Sequence, residues 1–402
     1  MPKRSTEENR PAKDAAGVSC QFPSLGEVTQ IRRCLRAWYR RHGRRFPWRE
    51  THDPYAIWVS EVMLQQTTTT VVEKYFKRFL KRFPTVYHLA RAKEEDVLRL
   101  WEGLGYYRRA RHLHESAKII VSQYGGVVPD SVEHLRRLPG IGRYTAGAIV
   151  SLAYNRPAPI LEANTRRLFT RWLGLDGTGH GPSQDALLWQ FAEYLLPNRE
   201  PAAINQALMD LGHDVCLPSE PRCTDCPIAK FCRAFQNGHI PSPAKGRTVF
   251  TTRHEVALLI ECDHHLWMVR YAAGSRWAGL WDFPRLILAE NPAHVPPPAT
   301  IGLAGIAQAV RTAWSFSLSV EKHLLRLRYP ITRYRVVLDV FLAKIPDQIR
   351  HDPTFLLAGV DESSWIPIPE AQQLPLPSST RRVLHAWFDR HGTTSREENE
   401  TP

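Results

Sequence analysis

The chain has 402 residues, of which 43% are hydrophobic and 10% aromatic, and its formal net charge is +13. This composition supplies enough apolar surface for a packed core and excludes a globally disordered chain. The excess of Lys and Arg favours a polyanionic partner such as nucleic acid, although the same charge could serve solubility alone.

No stretch approaches the roughly 18 uninterrupted apolar residues that a membrane-spanning helix needs, so we expect no membrane partner. The first residues, MPKRSTEENRPAKDAAG, mix acids with bases and lack the apolar core of a secretory signal. We therefore expect an intracellular protein, in the cytoplasm or nucleoid if the organism is bacterial. Thiols stay reduced there, so the 7 cysteines need a role other than disulfide formation.

Hydrophobic periodicity divides the chain into two domains. Apolar residues recur at helical spacing through the first half, as in Val28, Ile31 and Leu35, whereas EVALLIE and YRVVLDVFLAKI are typical of strands. The segment QNGHIPSPAKGR between them is polar and rich in Pro and Gly, as linkers are. The predicted boundaries are a disordered tail at 1–24, an all-α domain at 25–235, a linker at 236–247, an α+β domain at 248–390 and a disordered tail at 391–402.

Four of the cysteines form a C-x6-C-x2-C-x5-C cluster, namely Cys216, Cys223, Cys226 and Cys232. Four thiolates so close in sequence can surround one soft metal centre. Structural zinc more often uses two C-x-x-C pairs separated by a dozen or more residues. The spacing therefore favours a [4Fe–4S] cluster over zinc, which remains the alternative.

The segment LPGIGRYTAG follows one helical pattern and opens another. Its glycines, Gly140 and Gly142, leave backbone N–H groups exposed at a helix N-terminus, where they can bind a phosphate without a side chain. The pattern predicts a helix-hairpin-helix motif at about 134–154, and a plain helix–helix turn is the alternative.

One carboxylate stands out by its surroundings. The segment AIWVSEVML is apolar on nearly every side and predicts a buried helix, in which Glu61 is the only ionisable residue. Burial raises the pKa of a carboxyl group, so Glu61 could remain protonated near neutral pH and act as a general acid. Alternatively, Glu61 reaches solvent or pairs with an Arg.

These segments together resemble the MutY family of adenine DNA glycosylases. The resemblance lies in EVMLQQT, which includes Glu61, in FPWR before it, in WEGLGYYRRAR and NQALMDLG after it, and in the spacing of the cysteines. It covers residues 25–235 continuously. It implies an all-α helix-hairpin-helix DNA glycosylase domain with a [4Fe–4S] cluster loop, followed by an α+β Nudix-like domain.

The resemblance implies a mechanism with two carboxylates. Glu61 would protonate adenine N7, and the glycosidic bond would break through an oxocarbenium-like sugar. The second carboxylate would be Glu162, where the sequence reads Glu162-Ala163-Asn164 instead of the usual Asp-Gly-Asn. Tyr144 occupies the position of the attacking Lys of bifunctional relatives, so water would be the nucleophile. Tyr144 and Asn164 would support the flipped nucleotide and this water.

The same resemblance implies the DNA contacts. Gln65, Gln66 and Tyr106 would enter the duplex, Thr67 would touch the opposing base, Trp48, Arg49 and Gln206 would line the adenine pocket, and Gly140 and Gly142 would present amides to a phosphate.

The C-terminal segment WAGLWDFP resembles the Trp-x-Phe-Pro element of Nudix-like domains. The helix predicted at Ile306–Trp314 has no acid to hold Mg²⁺, so we expect damage recognition and no nucleotide hydrolysis. Where the family has Phe-Ser-His, this chain has Ile331-Thr332-Arg333, and Thr332 keeps a hydroxyl group.

The sequence therefore predicts a monofunctional DNA glycosylase of base excision repair that acts on adenine opposite 8-oxoguanine or guanine. Its partner would be double-stranded DNA with A:8-oxoG or A:G mispairs, and the protein would be a monomer. Two alternatives remain open. One is a mismatch-binding protein with catalysis impaired by Glu162-Ala163, and the other is a pyrimidine or thymine mismatch glycosylase.

Overall fold

The computed structural model describes residues 12–13, 19–175, 181–241, 249–292, 294–315, 317–346, 357 and 359–391. The chain divides into two compact units, one formed by Met1–Arg91 and His112–Gly246, the other by Ala92–Arg111 and Arg247–Pro402. The sequence analysis places Ala92–Arg111 in the helical domain, whereas by its contacts the segment groups with the C-terminal strands and helices. No helix in the described part of the chain is long and apolar enough to cross a bilayer.

Two described pieces of the segment predicted as an N-terminal tail form a short pairing. Two short strands, β1 (Ala12–Lys13) and β2 (Ser19–Cys20), pair antiparallel. The rest of 1–18, the linker residues 242–247 and the C-terminal tail at 392–402 lie outside the described residues.

The helical half of the chain confirms the all-α prediction. Its helices are α1 (Leu25–His42), α2 (Pro54–Leu64), α3 (Thr69–Arg82), α4 (Val86–Arg91), α5 (Glu94–Trp101), α6 (Arg108–Gln123), α7 (Val132–Leu135), α8 (Arg143–Tyr154), α9 (Ala163–Trp172), α10 (Pro182–Leu195), α11 (Pro201–Asp214) and α12 (Arg233–Gln236), with 3₁₀ turns at Pro47–Arg49, Cys223–Asp225 and Ala229–Phe231. Helix α1 begins with a capping box, in which Glu27 N donates to Ser24 Oγ at 3.3 Å and Ser24 N donates to Glu27 Oε2 at 2.8 Å.

Helices α1, α9, α10 and α11 share one core. Leu35, Phe169, Phe191 and Ile204 are all fully buried in it, and the rings of Phe169 and Phe191 meet edge to face at 5.3 Å. Helix α2 is apolar all round, and every residue from Tyr55 to Met63 is buried, Glu61 included. The sequence therefore places a carboxyl group inside a helix that has no solvent-facing side.

The second unit is α+β, as predicted. In addition to Ala92–Arg111, it contains β3 (Thr251–Cys262), β4 (His265–Tyr271), β5 (Trp281–Asp282), β6 (Arg285–Glu290), α13 (Pro298–Trp314), β7 (Ser319–Ile331), β8 (Tyr334–Lys344), β9 (Val360–Pro367), α14 (Ile368–Ala371) and α15 (Ser378–His391). The strands of the described residues form a sheet in the order β5-β4-β3-β8-β7, with β6 pairing with β3 and β9 with β4.

Each face of this sheet carries a separate core. Strand β3 runs parallel to β8. The buried side chains of Val256 and Leu258 lie on one face of the sheet, and that of Leu259 lies on the other. Helix α13 packs on the first face, and α15 packs on the second through Leu384 and neighbouring residues. Strands β7 and β8 meet in a tight hairpin, in which Ile331 pairs with Tyr334.

Candidate active site

A cleft in the helical unit brings most of the predicted site residues together. Its lining includes Trp48, Arg49, Glu61, Gln65, Gln66, Thr67, Tyr144, Glu162, Asn164 and Gln206. These residues come from the 3₁₀ turn at Pro47–Arg49, from α2 and the loop after it, and from α8, α9 and α11. Residues separated by more than a hundred positions in sequence therefore meet in one site.

Glu61 is the most unusual group of the cleft. Its residue is 2% exposed, one carboxylate oxygen accepts a hydrogen bond from the Tyr144 hydroxyl, and Oε2 has no hydrogen-bond partner among the described residues. Burial raises the pKa of Glu61 to about 7, with a smaller rise from Glu162, while Tyr144 and Arg49 oppose the increase. The group is therefore half protonated near neutral pH and can give a proton to a base in the cleft.

Tyr144 supports Glu61 and supplies no amine. It lies in the first turn of α8, and the pKa of its hydroxyl is raised well above the ordinary value by burial and by the carboxylates of Glu61 and Glu162. A neutral phenol at this position can donate a hydrogen bond to Glu61. It cannot form the Schiff base that a Lys would form with a sugar.

Glu162 is the N-cap of α9, and its carboxylate turns back onto that helix. Oε2 accepts from Asn164 N at 2.8 Å, Oε1 accepts from Thr165 N at 2.8 Å, and Glu162 N donates to Thr165 Oγ1 at 2.9 Å. These backbone N–H groups at the start of the helix hold the carboxylate in one orientation. Glu162 thus supplies a negative charge, fixed in position, to the same cleft as Glu61.

Asn164 occupies the second position of α9 and faces the same cleft. Its Oδ1 accepts from Arg167 Nη2 at 3.0 Å. A Cβ atom at Gly212 would come within 2.9 Å of Asn164 Cβ, so a larger residue at position 212 would push α11 away from α9. The glycine of the NQALMDLG segment therefore keeps these two walls of the cleft close together.

Two residues that the sequence analysis missed organise the opposite wall. Asp210 is 1% exposed, and it accepts from Arg49 Nη1 at 2.7 Å and from Arg49 Nη2 at 2.9 Å. The Tyr39 hydroxyl donates to Gln206 Oε1. Asp210 follows Gln206 by four residues, a spacing that places both side chains on one helix face, so the sequence did carry a signal for it.

Trp48, Gln65 and Thr67 are further predicted residues in the lining of the cleft. Trp48 is 5% exposed, and its ring stacks on Phe46 with centroids 4.8 Å apart. Gln65 Nε2 donates to Thr145 Oγ1 at 3.3 Å. Thr67 lies in the same lining, in the loop that joins α2 to α3.

Three residues predicted to contact DNA have left-handed backbones. Gln66, Tyr106 and Thr332 have backbone φ values of 56°, 49° and 50°, which residues other than Gly and Asn rarely adopt. Tyr106 is 47% exposed, and together with Thr332 it lines a cleft of the second unit that also includes Trp277. Strained, exposed positions of this kind concentrate at functional sites.

The predicted hairpin has the expected geometry. Gly140 has φ +76° and lies so close to His112 that an added Cβ would approach His112 Cβ to 2.8 Å, so no other residue fits without a shift. Gly142 is the N-cap of α8, with no atom within 4 Å of the place where its Cβ would be. A ligand can therefore approach the amides in the first turn of α8 from the side of Gly142.

The four cysteines of the predicted cluster line one pocket between α9 and the two 3₁₀ turns. Arg171, which is 2% exposed, faces them, with Nη1 at 3.4 Å from Cys216 Sγ. No three His, Cys, Asp or Glu side chains of the described residues are placed to hold a single metal ion. Burial raises the pKa of Cys226 to about 12, so ligation there would release a proton. The four thiols are soft donors, and the guanidinium of Arg171 beside them would offset the charge of thiolates.

The chain is similar in sequence to proteins of base excision DNA repair. Residues 59–192 match the family model of the HhH-GPD superfamily base excision DNA repair proteins. The adenine DNA glycosylase of Buchnera aphidicola subsp. Acyrthosiphon pisum is 37% identical over 251 residues, which cover 62% of this chain and 72% of the relative.

Two further relatives each match 54% of this chain. The adenine DNA glycosylase of Rattus norvegicus is 43% identical over 226 residues, 54% of this chain and 43% of the relative. The thymine-DNA glycosylase of Aeropyrum pernix is 37% identical over 220 residues, 54% of this chain and 99% of the relative. The Buchnera aphidicola relative, of which this chain covers 72%, and the match to the family model together place the chain in the adenine DNA glycosylase family of the HhH-GPD superfamily.

Proposed function

We propose that this protein is a monofunctional adenine DNA glycosylase that hydrolyses the N-glycosidic bond of adenine mispaired with 8-oxoguanine or guanine. The observation that carries the proposal is the state of Glu61. It is a buried carboxyl group with a pKa of about 7 and one oxygen without a partner among the described residues, in a cleft that Gln206 also lines. Such a group is suited to protonate a leaving base at neutral pH.

The two carboxylates divide the chemistry. Glu61 gives its proton to adenine N7, the bond between C1′ and N9 breaks, and its electron pair leaves with the neutral base. The charge of Glu162, held by the amides of Asn164 and Thr165, stabilises the sugar cation that remains. Water then adds to C1′, and its proton returns to a carboxylate of the cleft. Tyr144 orients Glu61 throughout and forms no covalent bond.

Binding to the duplex uses backbone groups as well as side chains. Amides after Gly140 and Gly142 bind a phosphate, since they lie at the open N-terminus of α8. Gln65, Gln66 and Tyr106 fill the space that the extruded adenine leaves, and Thr67 contacts the base opposite it. The left-handed backbones of Gln66 and Tyr106 present these side chains at the tips of loops.

The base opposite adenine is recognised by the cleft of the second unit. Thr332 stands in the turn between β7 and β8, and its hydroxyl can donate and accept hydrogen bonds. Trp277 and Tyr106 supply aromatic walls. Helix α13 has no acidic residue, so we do not assign nucleotide hydrolysis to this Nudix-like unit.

We also propose that Cys216, Cys223, Cys226 and Cys232 hold a [4Fe–4S] cluster, which would supply structural order to the loop after α11. The support is the shared pocket of the four thiols and the guanidinium of Arg171 beside Cys216. Analysis of iron and acid-labile sulfide in the purified protein tests this assignment. Four irons per chain are expected, and zinc alone would refute it.

The test of the function is a panel of duplexes. Single-turnover incubation with A:8-oxoG, A:G and T:G duplexes, followed by cleavage of abasic sites with alkali, should give product from the first two only. Product from T:G would favour the thymine glycosylase alternative, which the Aeropyrum pernix relative raises. Tight binding to A:8-oxoG without product would identify a mismatch-binding protein.

The pH profile of base release should reflect Glu61. Because burial raises its pKa from 4.5 to about 7, the acid form that donates the proton predominates below pH 7 and is lost above it. The single-turnover rate constant on A:8-oxoG should therefore be level below about pH 6 and fall about tenfold per pH unit above about pH 8. Circular dichroism at each pH controls for unfolding, and a rate that stays level to pH 9 would contradict the assignment.

Substitutions at Glu162 test the second carboxylate. Glu162→Asp keeps the charge and the helix cap, so the rate should stay within about tenfold of the parent. Glu162→Gln removes the charge and should slow single-turnover excision by at least about 100-fold, because a sugar cation then lacks its fixed counter-charge. A parent enzyme as slow as the Gln variant would show that Glu162 has no catalytic role.

A further inference from the structure

Tyr39 belongs to no part of the site that the sequence identified, yet it contacts the proposed adenine pocket. It lies near the end of α1, and its hydroxyl donates to Oε1 of Gln206, a residue of α11. Tyr39 also packs against the core that α1 and α11 share. An aromatic ring on the apolar face of a helix therefore ends in a polar contact with a residue of the reactive cleft.

The direction of this hydrogen bond is fixed by a chain of neighbours. A guanidinium has only donors, and Arg49 uses Nη1 and Nη2 on the two oxygens of the buried Asp210. Arg49 also donates toward the Tyr39 hydroxyl. The oxygen of that hydroxyl is thus an acceptor for Arg49, and its one proton is left for Gln206 Oε1. Burial raises the pKa of Tyr39, so the proton remains on the phenol.

This hydrogen bond determines which group of the Gln206 amide, the donor or the acceptor, faces a base in the cleft. The oxygen of this amide is held toward Tyr39, and this orientation leaves the NH₂ group for a base in the cleft that Gln206 and Glu61 line. An amide without that contact could rotate and present either a donor or an acceptor. A fixed donor matches a ring nitrogen with a free lone pair and disfavours a ring nitrogen that carries hydrogen.

We propose that Tyr39 is a positioning residue for specificity, which holds the Gln206 amide with its NH₂ group toward the extruded base. The pocket then selects purines that have an unprotonated ring nitrogen at the edge facing this NH₂ group. This inference rests on the proposed adenine glycosylase function. It goes further by naming a residue outside the cleft that sets the hydrogen-bonding polarity of the pocket.

The test compares adenine with 1-deazaadenine and 3-deazaadenine opposite 8-oxoguanine, because each analogue lacks one ring nitrogen and keeps N7 for Glu61. In the parent enzyme, one of the two analogues should lower the single-turnover rate about tenfold. Tyr39→Phe should reduce that penalty to about twofold. Gln206→Leu should abolish it, and adding Tyr39→Phe to Gln206→Leu should cause no further change.

Tyr194→Phe is the matched control, since it also removes a phenol that donates one hydrogen bond in the helical unit, to Pro23 O at 2.8 Å. It should keep the full penalty. Equilibrium binding of the same three duplexes supplies a second readout, so that an enzyme that binds without cutting still tests the inference. No cleavage of adenine by the parent would refute the proposed function.

Three results would refute the role of Tyr39 instead. One is an undiminished analogue penalty in both assays of Tyr39→Phe. The second is equal handling of both analogues and adenine by the parent. The third is a penalty that Gln206→Leu leaves in place.

Discussion

Replacement of Glu61 by Gln should slow single-turnover base release from an A:8-oxoG duplex by about 100-fold to 10,000-fold. Gln has nearly the size of Glu and still accepts a hydrogen bond from Tyr144, so the buried helix α2 should keep its packing. It has no proton to give to the leaving base. Duplex affinity, measured by fluorescence anisotropy, should change by no more than a few-fold.

A carboxylate outside the cleft provides the comparison. Glu73 lies on α3 with a side chain that is 45% exposed and forms a surface ion pair with Lys77. Glu73→Gln should therefore leave both rate and affinity unchanged. If Glu61→Gln released adenine as fast as Glu73→Gln, Glu61 could not be the proton donor and the proposed mechanism would have to be abandoned.

The largest loss of stability is expected from Asp210→Asn. Asp210 and Arg49 form an ion pair whose side chains are 2% and 11% exposed, and Asp210 also accepts from Arg44 N at 3.0 Å. Removing one partner of a buried pair leaves an uncompensated charge, which typically costs about 3–5 kcal/mol of the free energy of unfolding. Urea denaturation followed by the helical circular dichroism signal measures this difference.

A second Arg–Asp pair of the helical unit serves as the matched control. Arg166 and Asp185 have side chains that are 30% and 44% exposed, so solvent screens the pair. Asp185→Asn should cost no more than about 1 kcal/mol. If Asp210→Asn were equally mild, the Arg49 charge must find another partner or water, and Asp210 would not be required to hold that wall of the cleft.

The site could be predicted where its signal is local. An apolar helix with one carboxylate led to Glu61, and the structure buries that group at 2% exposure. The Pro-Gly-x-Gly turn led to the hairpin, where Gly140 has φ +76°. The spacing of the cysteines led to a common pocket. In each case the pattern lies within some 20 residues, and the resemblance to the MutY family then decided among the alternatives that the pattern left open.

What the sequence could not provide is contact between distant segments. Tyr39 and Gln206 are 167 residues apart, and Arg49 and Asp210 are 161 apart. Tyr39 fits the apolar face of α1, and hydrophobic periodicity does not show which polar atom its hydroxyl contacts. The orientation of Glu162 was equally hidden, since a side chain that caps its own helix and one that points into the cleft have the same sequence.

The segment Ala92–Arg111 carries a consequence for experiments with shortened chains. The carboxylate of Glu102 accepts hydrogen bonds from Nε and Nη2 of Arg381, each at 2.8 Å, and the Tyr107 hydroxyl donates to Leu376 O at 3.1 Å. Deleting everything after residue 246 would strip these partners from the stretch that bears Tyr106. A fragment that ends there would lose contacts of the segment bearing Tyr106, which we propose enters the duplex, together with the unit that we propose recognises the opposing base. A drop in the selectivity of this fragment would therefore not measure the loss of the sheet alone.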